Sequence, residues 1–321
     1  MLTPLFGIRF EDFFSLSGLI KLDQNFLSYL SQQDFKLYAK YVHYRSEALE
    51  SDTLVTSELL IEVAKYLDDF LAEVFCIEAE NLALKKQHLK FNAIYECRRK
   101  FIQRYALVKY PADKLASLSY DIVRTKLQRI IGDLNQENIV QYYFKWAAFQ
   151  DRYQEELEIL AQYCAFAVQL HQEEELFDVP RIKTIDLIRQ YKIDALRKNL
   201  YLGFDHRDQE VKTQKPYMHA KYCLYCHKLG KDSCKTGLVN EQETTIPSEK
   251  NGCPLKQKIS EQNLLNVEGF YIGALAVIVV DNPLVAATGH RICNDCMKSC
   301  IYQKQEPVNI PIIESNILEQ V

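Results

Sequence analysis

The sequence predicts an all-α protein, an N-terminal helical bundle followed by a small cysteine-rich helical domain. Three observations predict it. Gly (10) and Pro (9) are scarce among 321 residues, and long stretches lack both, which favours helices over a turn-rich β protein. Apolar residues recur at three- and four-residue intervals through the first two thirds of the chain. Seven of the ten cysteines crowd into the stretch from Tyr222 to Cys300.

The first clear helix starts at Thr56. Thr56 or Ser57 is placed to cap it, Glu58 sits in its first turn, and Leu60, Val63, Leu67, Phe70, Leu71 and Val74 form its stripe. A second starts near Ser119, carries Ile122, Val123, Leu127, Ile130 and Ile131, and ends around Gly132. The longest runs from Glu137 to about Glu174, with Ile139, Val140, Tyr143, Trp146, Leu157, Leu160, Cys164 and Ala167 among its apolar positions. After Pro180, IKTIDLIRQYKIDALRKNL adds another helical segment. Residues 1–202 thus read as a bundle whose role the sequence leaves open. Its single cysteines, Cys76, Cys97 and Cys164, read as small buried hydrophobes. His43, His88 and His171 have no partner at catalytic spacing and read as structural or surface residues, and the basic run Cys97 to Arg104 as a solvated helix face.

Residues 203–216 are polar and aperiodic and mark a linker. In residues 217–321, Thr236 to Gly252 reads as a polar loop, and KQKISEQNLLNVEGFYIGALAVIVVDNP as two short helices with Gly269 and Gly273 at close packing points. The longest apolar run, Phe270 to Val280, has eleven residues, against the ~20 that a membrane span needs. It reads as a core element.

Composition narrows function. A net charge of −4 gives no electrostatic case for nucleic acid or an anionic membrane. Glu11 and Asp12 interrupt the N-terminal segment where a signal peptide needs its apolar run, so a cytoplasmic protein is expected. No G-x-G occurs, which excludes the usual dinucleotide fingerprint and the phosphate-binding loop. By itself the chain is therefore not expected to be a complete flavin or nicotinamide enzyme.

The cysteines are the motif that carries chemistry. The first group is Cys223 and Cys226 as CLYC, then Cys234, then Cys253 followed by Pro254; the second is Cys293, Cys296 and Cys300 in GHRICNDCMKSC. A C-x2-C pair sets two sulfurs about one turn apart, within reach of one metal centre. Two such pairs in a chain with no secretory signal point to metal, not disulfides. Two sites need eight ligands. Zinc completes the number with His290 or His227; two [4Fe–4S] clusters need one ligand that is not cysteine. Spacing alone leaves two Zn and two clusters level. The Cys253-Pro254 pair tilts towards iron–sulfur, because cysteine before proline ends bacterial cluster-binding runs.

Residues from about 220 to 321 resemble the N-terminal α-helical ferredoxin domain of the glutamate synthase small subunit and dihydropyrimidine dehydrogenase. The match is carried by Cys223-Leu224-x-Cys226, Cys253-Pro254, Gly273-Ala274-Leu275, Asp281-Asn282-Pro283-Leu284, Cys293, Cys296, Cys300 and Glu306-Pro307-Val308-Asn309-Ile310-Pro311. The resemblance implies an α-helical ferredoxin-like domain with two [4Fe–4S] clusters that relay electrons between flavin sites. It further implies interleaved ligands: Cys223, Cys226, Cys234 and Cys300 on the first cluster, and Cys253, Cys293 and Cys296 on the second. Relatives fill the eighth position with a glutamine, and counting along PVNIPIIE places Glu314 there. Gln303, Gln305 and a solvated Glu314 are the competing readings. The interval Thr236 to Gly252 is longer than in the family, which bears on the placing of Cys234. In that family a flavin- and nicotinamide-binding domain follows; here the sequence stops at Val321, so the implied partner is a flavin- and NAD(P)-binding oxidoreductase polypeptide. A zinc-binding interaction protein and a non-functional remnant of a split gene are the alternatives.

Overall fold

A computed structural model describes residues 5–46, 53–170, 174–177, 216–238, 252–288, 293–303 and 307–321. All secondary structure among them is helical, as expected. The principal helices are α1 (Leu16–Gln33), α2 (Phe35–Ser46), α3 (Thr53–Phe75), α4 (Glu78–Glu96), α5 (Tyr120–Ile131), α6 (Gln136–Ala147), α7 (Gln154–Gln169), α8 (Pro216–Tyr222), α9 (Ile259–Glu268), α10 (Tyr271–Asp281) and α11 (Ile310–Gln320). No helix of the described residues is long and apolar enough to cross a membrane.

Contacts divide the chain into two compact units, and not at the linker that the sequence suggests, most of which lies outside the described residues. One unit joins Met1–Lys86 to Ile182–Val321; the other is Gln87–Arg181. The cause is α3. Its face with Val63 and Phe70 packs on Phe26 and Leu30 of α1, as the sequence stripe predicts. A second face, with Ile61 and Ala64, joins the core of the cysteine-rich segment: Ile259 and Leu265 of α9, Ala274, Val277 and Ile278 of α10, and Ile310, Ile313 and Ile317 of α11. A helix apolar on two faces has to be covered twice. Gly273 permits the α3–α10 contact, since a Cβ there would lie 2.6 Å from the Ala64 carbonyl oxygen. Its N–H donates to the buried Asp68 carboxylate (3.1 Å), which also accepts from Asn81 (2.7 Å) and pairs with Lys85 (3.1 Å).

Helix α3 begins at Thr53, before the expected cap. Ser57 lies inside it, buried, and donates to Glu261 of α9. Both short helices expected after Cys253 are present as α9 and α10, although Val279 and Val280 at the end of α10 are exposed.

In the second unit the expected Glu137–Glu174 helix is two helices. The chain turns between Ala147 and Gln154, although no Gly or Pro marks the break. Folding back lets Ile139, Val140, Tyr143 and Trp146 of α6 bury against Leu157, Leu160, Ala161 and Cys164 of α7, which one straight rod could not do. Helix α5 has the expected Ser119 and Gly132 at its ends, but only Val123, Leu127 and Ile131 are buried; Ile122 and Ile130 are rotated off that stripe and exposed. Cys97–Ala106 is a π-helical segment with Arg98 buried over Tyr95, so the basic run is not wholly solvated. Cys97 and Cys164 are buried, as expected, whereas Cys76 is exposed. His43 is exposed and His88 buried; His171 and the IKTIDL segment lie outside the described residues.

Candidate metal centre

All ten cysteines are free thiols. The cysteine-bearing turns are built by local backbone chemistry. Cys223 follows the last turn of α8, and Tyr225, in the left-handed region at φ 52°, swings the chain so that Cys226 opens a short helical turn, Cys226–Leu229. The Tyr225 N–H donates to the Cys223 sulfur at 3.4 Å. Cys234 lies in the turn Ser233–Thr236, and its carbonyl accepts from the Cys253 N–H at 2.7 Å, which binds the third cysteine to the fourth. Gly252 makes that crossing possible: it sits at φ +75°, and a Cβ there would lie 2.6 Å from the Lys235 oxygen. Its N–H donates to Ser299 at 3.1 Å, so the crossing is also tied to the Cys293–Cys300 segment. Tyr222 and Tyr302 stack with ring centroids 4.4 Å apart, joining the segment before Cys223 to the one after Cys300.

The eight predicted positions lie close together, and Cys234 is within electrostatic reach of both Cys300 and Cys296. Cys234 and Cys300 are hydrogen-bonded to each other, and Cys300 lies within electrostatic reach of Cys223 and Cys226. Cys253 and Cys296 are each within reach of Glu314 and Cys293, and Cys296 also of Cys253. Glu314, on α11, is only 5% exposed, which removes the solvated reading. Gln257 donates to its Oε1 at 3.3 Å and accepts from the Cys253 thiol at 3.4 Å. Among the described residues no three His, Cys, Asp or Glu side chains converge closely enough to hold one metal ion.

Burial dominates the electrostatics of most of these thiols, as it does at Cys97 and Cys164. Burial pushes Cys223 up to about 12 and Cys226 up to about 11, and raises Cys253 and Cys296 as well. Burial also lifts Glu314 to about 7 against the hydrogen bonds of Gln262 and Gln257. Cys300 runs the other way, to about 7, because Cys234 donates to it, as do the N–H groups of Val308 and Tyr302. Buried thiols held this high become thiolates only beside a compensating positive charge, which a metal centre supplies.

Sequence reasoning missed the polar interior of α9. Gln262, Asn263 and Asn266 are fully buried, and their side-chain amides make no hydrogen bond of normal geometry. Asn263 lies against the Cys223 sulfur and Gln262 against Glu314. The signal was in the run SEQNLLN, where polar residues occupy positions of an internal helix without a polar face. Seven soft thiols, one carboxylate and buried amide donors fit iron–sulfur clusters, whose sulfurs accept such donors. The competing ligands stand as follows. His227 is buried, with its Nδ1 2.7 Å from Ser260 Oγ and Glu261 as its electrostatic neighbour. The Gln303 N–H caps the Cys300 carbonyl at 2.9 Å. His290 and Gln305 lie outside the described residues.

Residues 5–76, which contain α1 to α3, match the family described as the RP005 N-terminal alpha-helical domain. The uncharacterized protein RP005 of Rickettsia prowazekii (strain Madrid E) is 32% identical over 289 residues, 82% of this chain and 98% of that protein. The chain belongs to the RP005 family. The domain that names the RP005 family ends at Cys76, one residue past α3, and so supplies the helix on which the cysteine-rich core is packed. A second protein of that organism, uncharacterized protein RP006, is 84% identical over 37 residues, 12% of this chain and 5% of that protein. No solved structure matches.

Proposed function

We propose that this RP005-family protein is a cytoplasmic electron-transfer protein of the α-helical ferredoxin type, holding two [4Fe–4S] clusters and working with a flavin-binding oxidoreductase partner. One observation carries the reading. The reading is supported by the neighbours of these side chains: Cys223, Cys226 and Cys234 each lie within electrostatic reach of Cys300, and Cys253 and Cys296 within reach of Glu314 and Cys293, with Cys234 also within reach of Cys296.

The clusters, when bound, supply one-electron transfer at potentials set by burial and by hydrogen bonds to sulfur. The chain's own part is to hold and insulate them. The core of α3, α9, α10 and α11 buries Cys234, Cys253, Cys296 and Cys300, and the Tyr225 N–H donates to the partly buried Cys223 sulfur. Gln257 donates to Glu314 Oε1, which would orient the carboxylate as a ligand, while its own oxygen accepts from Cys253 only as long as that thiol keeps its proton. Glu314 would supply an anionic oxygen to one iron in place of a thiolate.

Anaerobic purification tests the reading. Brown protein with about eight iron and eight sulfide per chain is expected. Colourless protein carrying stoichiometric zinc after anaerobic reconstitution would contradict it, and would favour the zinc-stapled interaction protein.

A further inference from the structure

Helix α9 carries three buried amides that the core does not satisfy. Burying a primary amide without a partner is unfavourable by a few kcal/mol in general, and α9 does so at Gln262, Asn263 and Asn266. Successive residues on a helix point about 100° apart. Gln262 and Asn263 therefore face different surroundings: Gln262 meets Glu314 of one ligand set, and Asn263 meets Cys223 of the other. Neither contact has the alignment of a finished hydrogen bond.

We propose that α9 is a shared positioning element for both clusters, in which Asn263 donates to the Cys223 sulfur and sets the potential of the first cluster, while Gln262 orients Glu314 on the second. The inference rests on the iron–sulfur reading above and adds a division of labour between adjacent residues. A donor to sulfur stabilises the reduced, more negative cluster more than the oxidised one, so it raises the potential. Removing it lowers the potential. The two residues act on separate ligand sets, so the effects should not cross.

The test is a redox titration followed by electron paramagnetic resonance on anaerobic full-length protein, in the wild type, Asn263→Leu and Gln262→Leu. Signals are assigned to the second cluster by their change in Glu314→Ala. Asn263→Leu should shift the first cluster's reduction equilibrium towards the oxidised form by about tenfold, or about 59 mV for one electron, and leave the second unchanged. Gln262→Leu should alter the line shape or lability of the second and spare the first. Where Asn263→Leu does not fold, Asn263→Asp keeps the shape, replaces the donor by an anion, and should lower the first potential further. Iron-loaded variants in which neither potential moves, or both move together, overturn the inference and leave the iron–sulfur reading standing. A wild type without iron removes both.

Discussion

Glu314 shows how much a single residue decides. It is buried beside Cys253 and Cys296, hydrogen-bonded by Gln257, and lifted to about 7 by burial. Changing Glu314 to Ala should alter the resonance spectrum or lability of one cluster and spare the other. If both are unchanged, while a change at His290 or Gln305 perturbs one, the ligand assignment is wrong. Gly252 makes the second prediction at this scale. Its positive φ and the 2.6 Å approach of the Lys235 oxygen leave no room for a Cβ. Gly252→Ala should lose at least ~2 kcal/mol in a thermal melt. Gly230, also at positive φ but with nothing within 4 Å of an added Cβ, should lose only ~1 kcal/mol as Gly230→Ala. Equal losses would show that the Cys234–Cys253 crossing is not tight. At this scale the paired cysteines stand out in the sequence by their spacing and the cysteine before proline, whereas Glu314 is singled out only by the family resemblance, and the structure adds its burial. Gln262, Asn263 and Asn266 were not legible, because a polar residue in a helix reads as solvent-facing until its neighbours are known.

Elements were legible where their ends carry chemical marks. Ser119 and Gly132 delimit α5, and Gly269 closes α9 in the left-handed region at φ 87°, before the strongly apolar α10. The break between α6 and α7 carries no such mark. It follows from packing, which doubles the apolar stripe onto itself, so periodicity ran through it. Helix α3 was half legible: the stripe with Val63 and Phe70 was read, but a hydrophobic pattern does not name a second partner 200 residues away. The polar point of that contact makes a prediction. Asp68 accepts from Gly273 and Asn81 and pairs with Lys85 in a buried setting, so removing it strands the Gly273 and Asn81 donors, while Lys85 keeps Asp69. Asp68→Ala should destabilise the protein by ~3 kcal/mol in denaturant unfolding. A loss under ~1 kcal/mol, in the range of a surface pair, would mean that α3 does not need this network.

At the scale of the whole molecule, the proposed clusters would be held by only part of the chain. The candidate ligands belong to the unit made of Met1–Lys86 and Ile182–Val321, while Gln87–Arg181 has its own core of α5, α6, α7 and the π-helical segment. Cluster binding is then folding free energy for the first unit alone. Removing iron with a chelator under oxidising conditions should raise amide hydrogen exchange in α3, α9, α10 and α11 and leave α5 to α7 protected. Uniform loss of protection would contradict that independence. The two-unit division was beyond the sequence because it depends on which core α3 joins, a choice made in three dimensions.

The central claim is that two four-ligand sets are interleaved along the chain, and single cysteine variants test it most directly. Cys234→Ser and Cys300→Ser, far apart in sequence, should remove the same resonance signal and retain about four iron. Cys253→Ser and Cys296→Ser should both remove the other signal. Should Cys234→Ser and Cys253→Ser instead abolish one signal together, with Cys296→Ser and Cys300→Ser abolishing the second, the ligands follow chain order and the account is wrong.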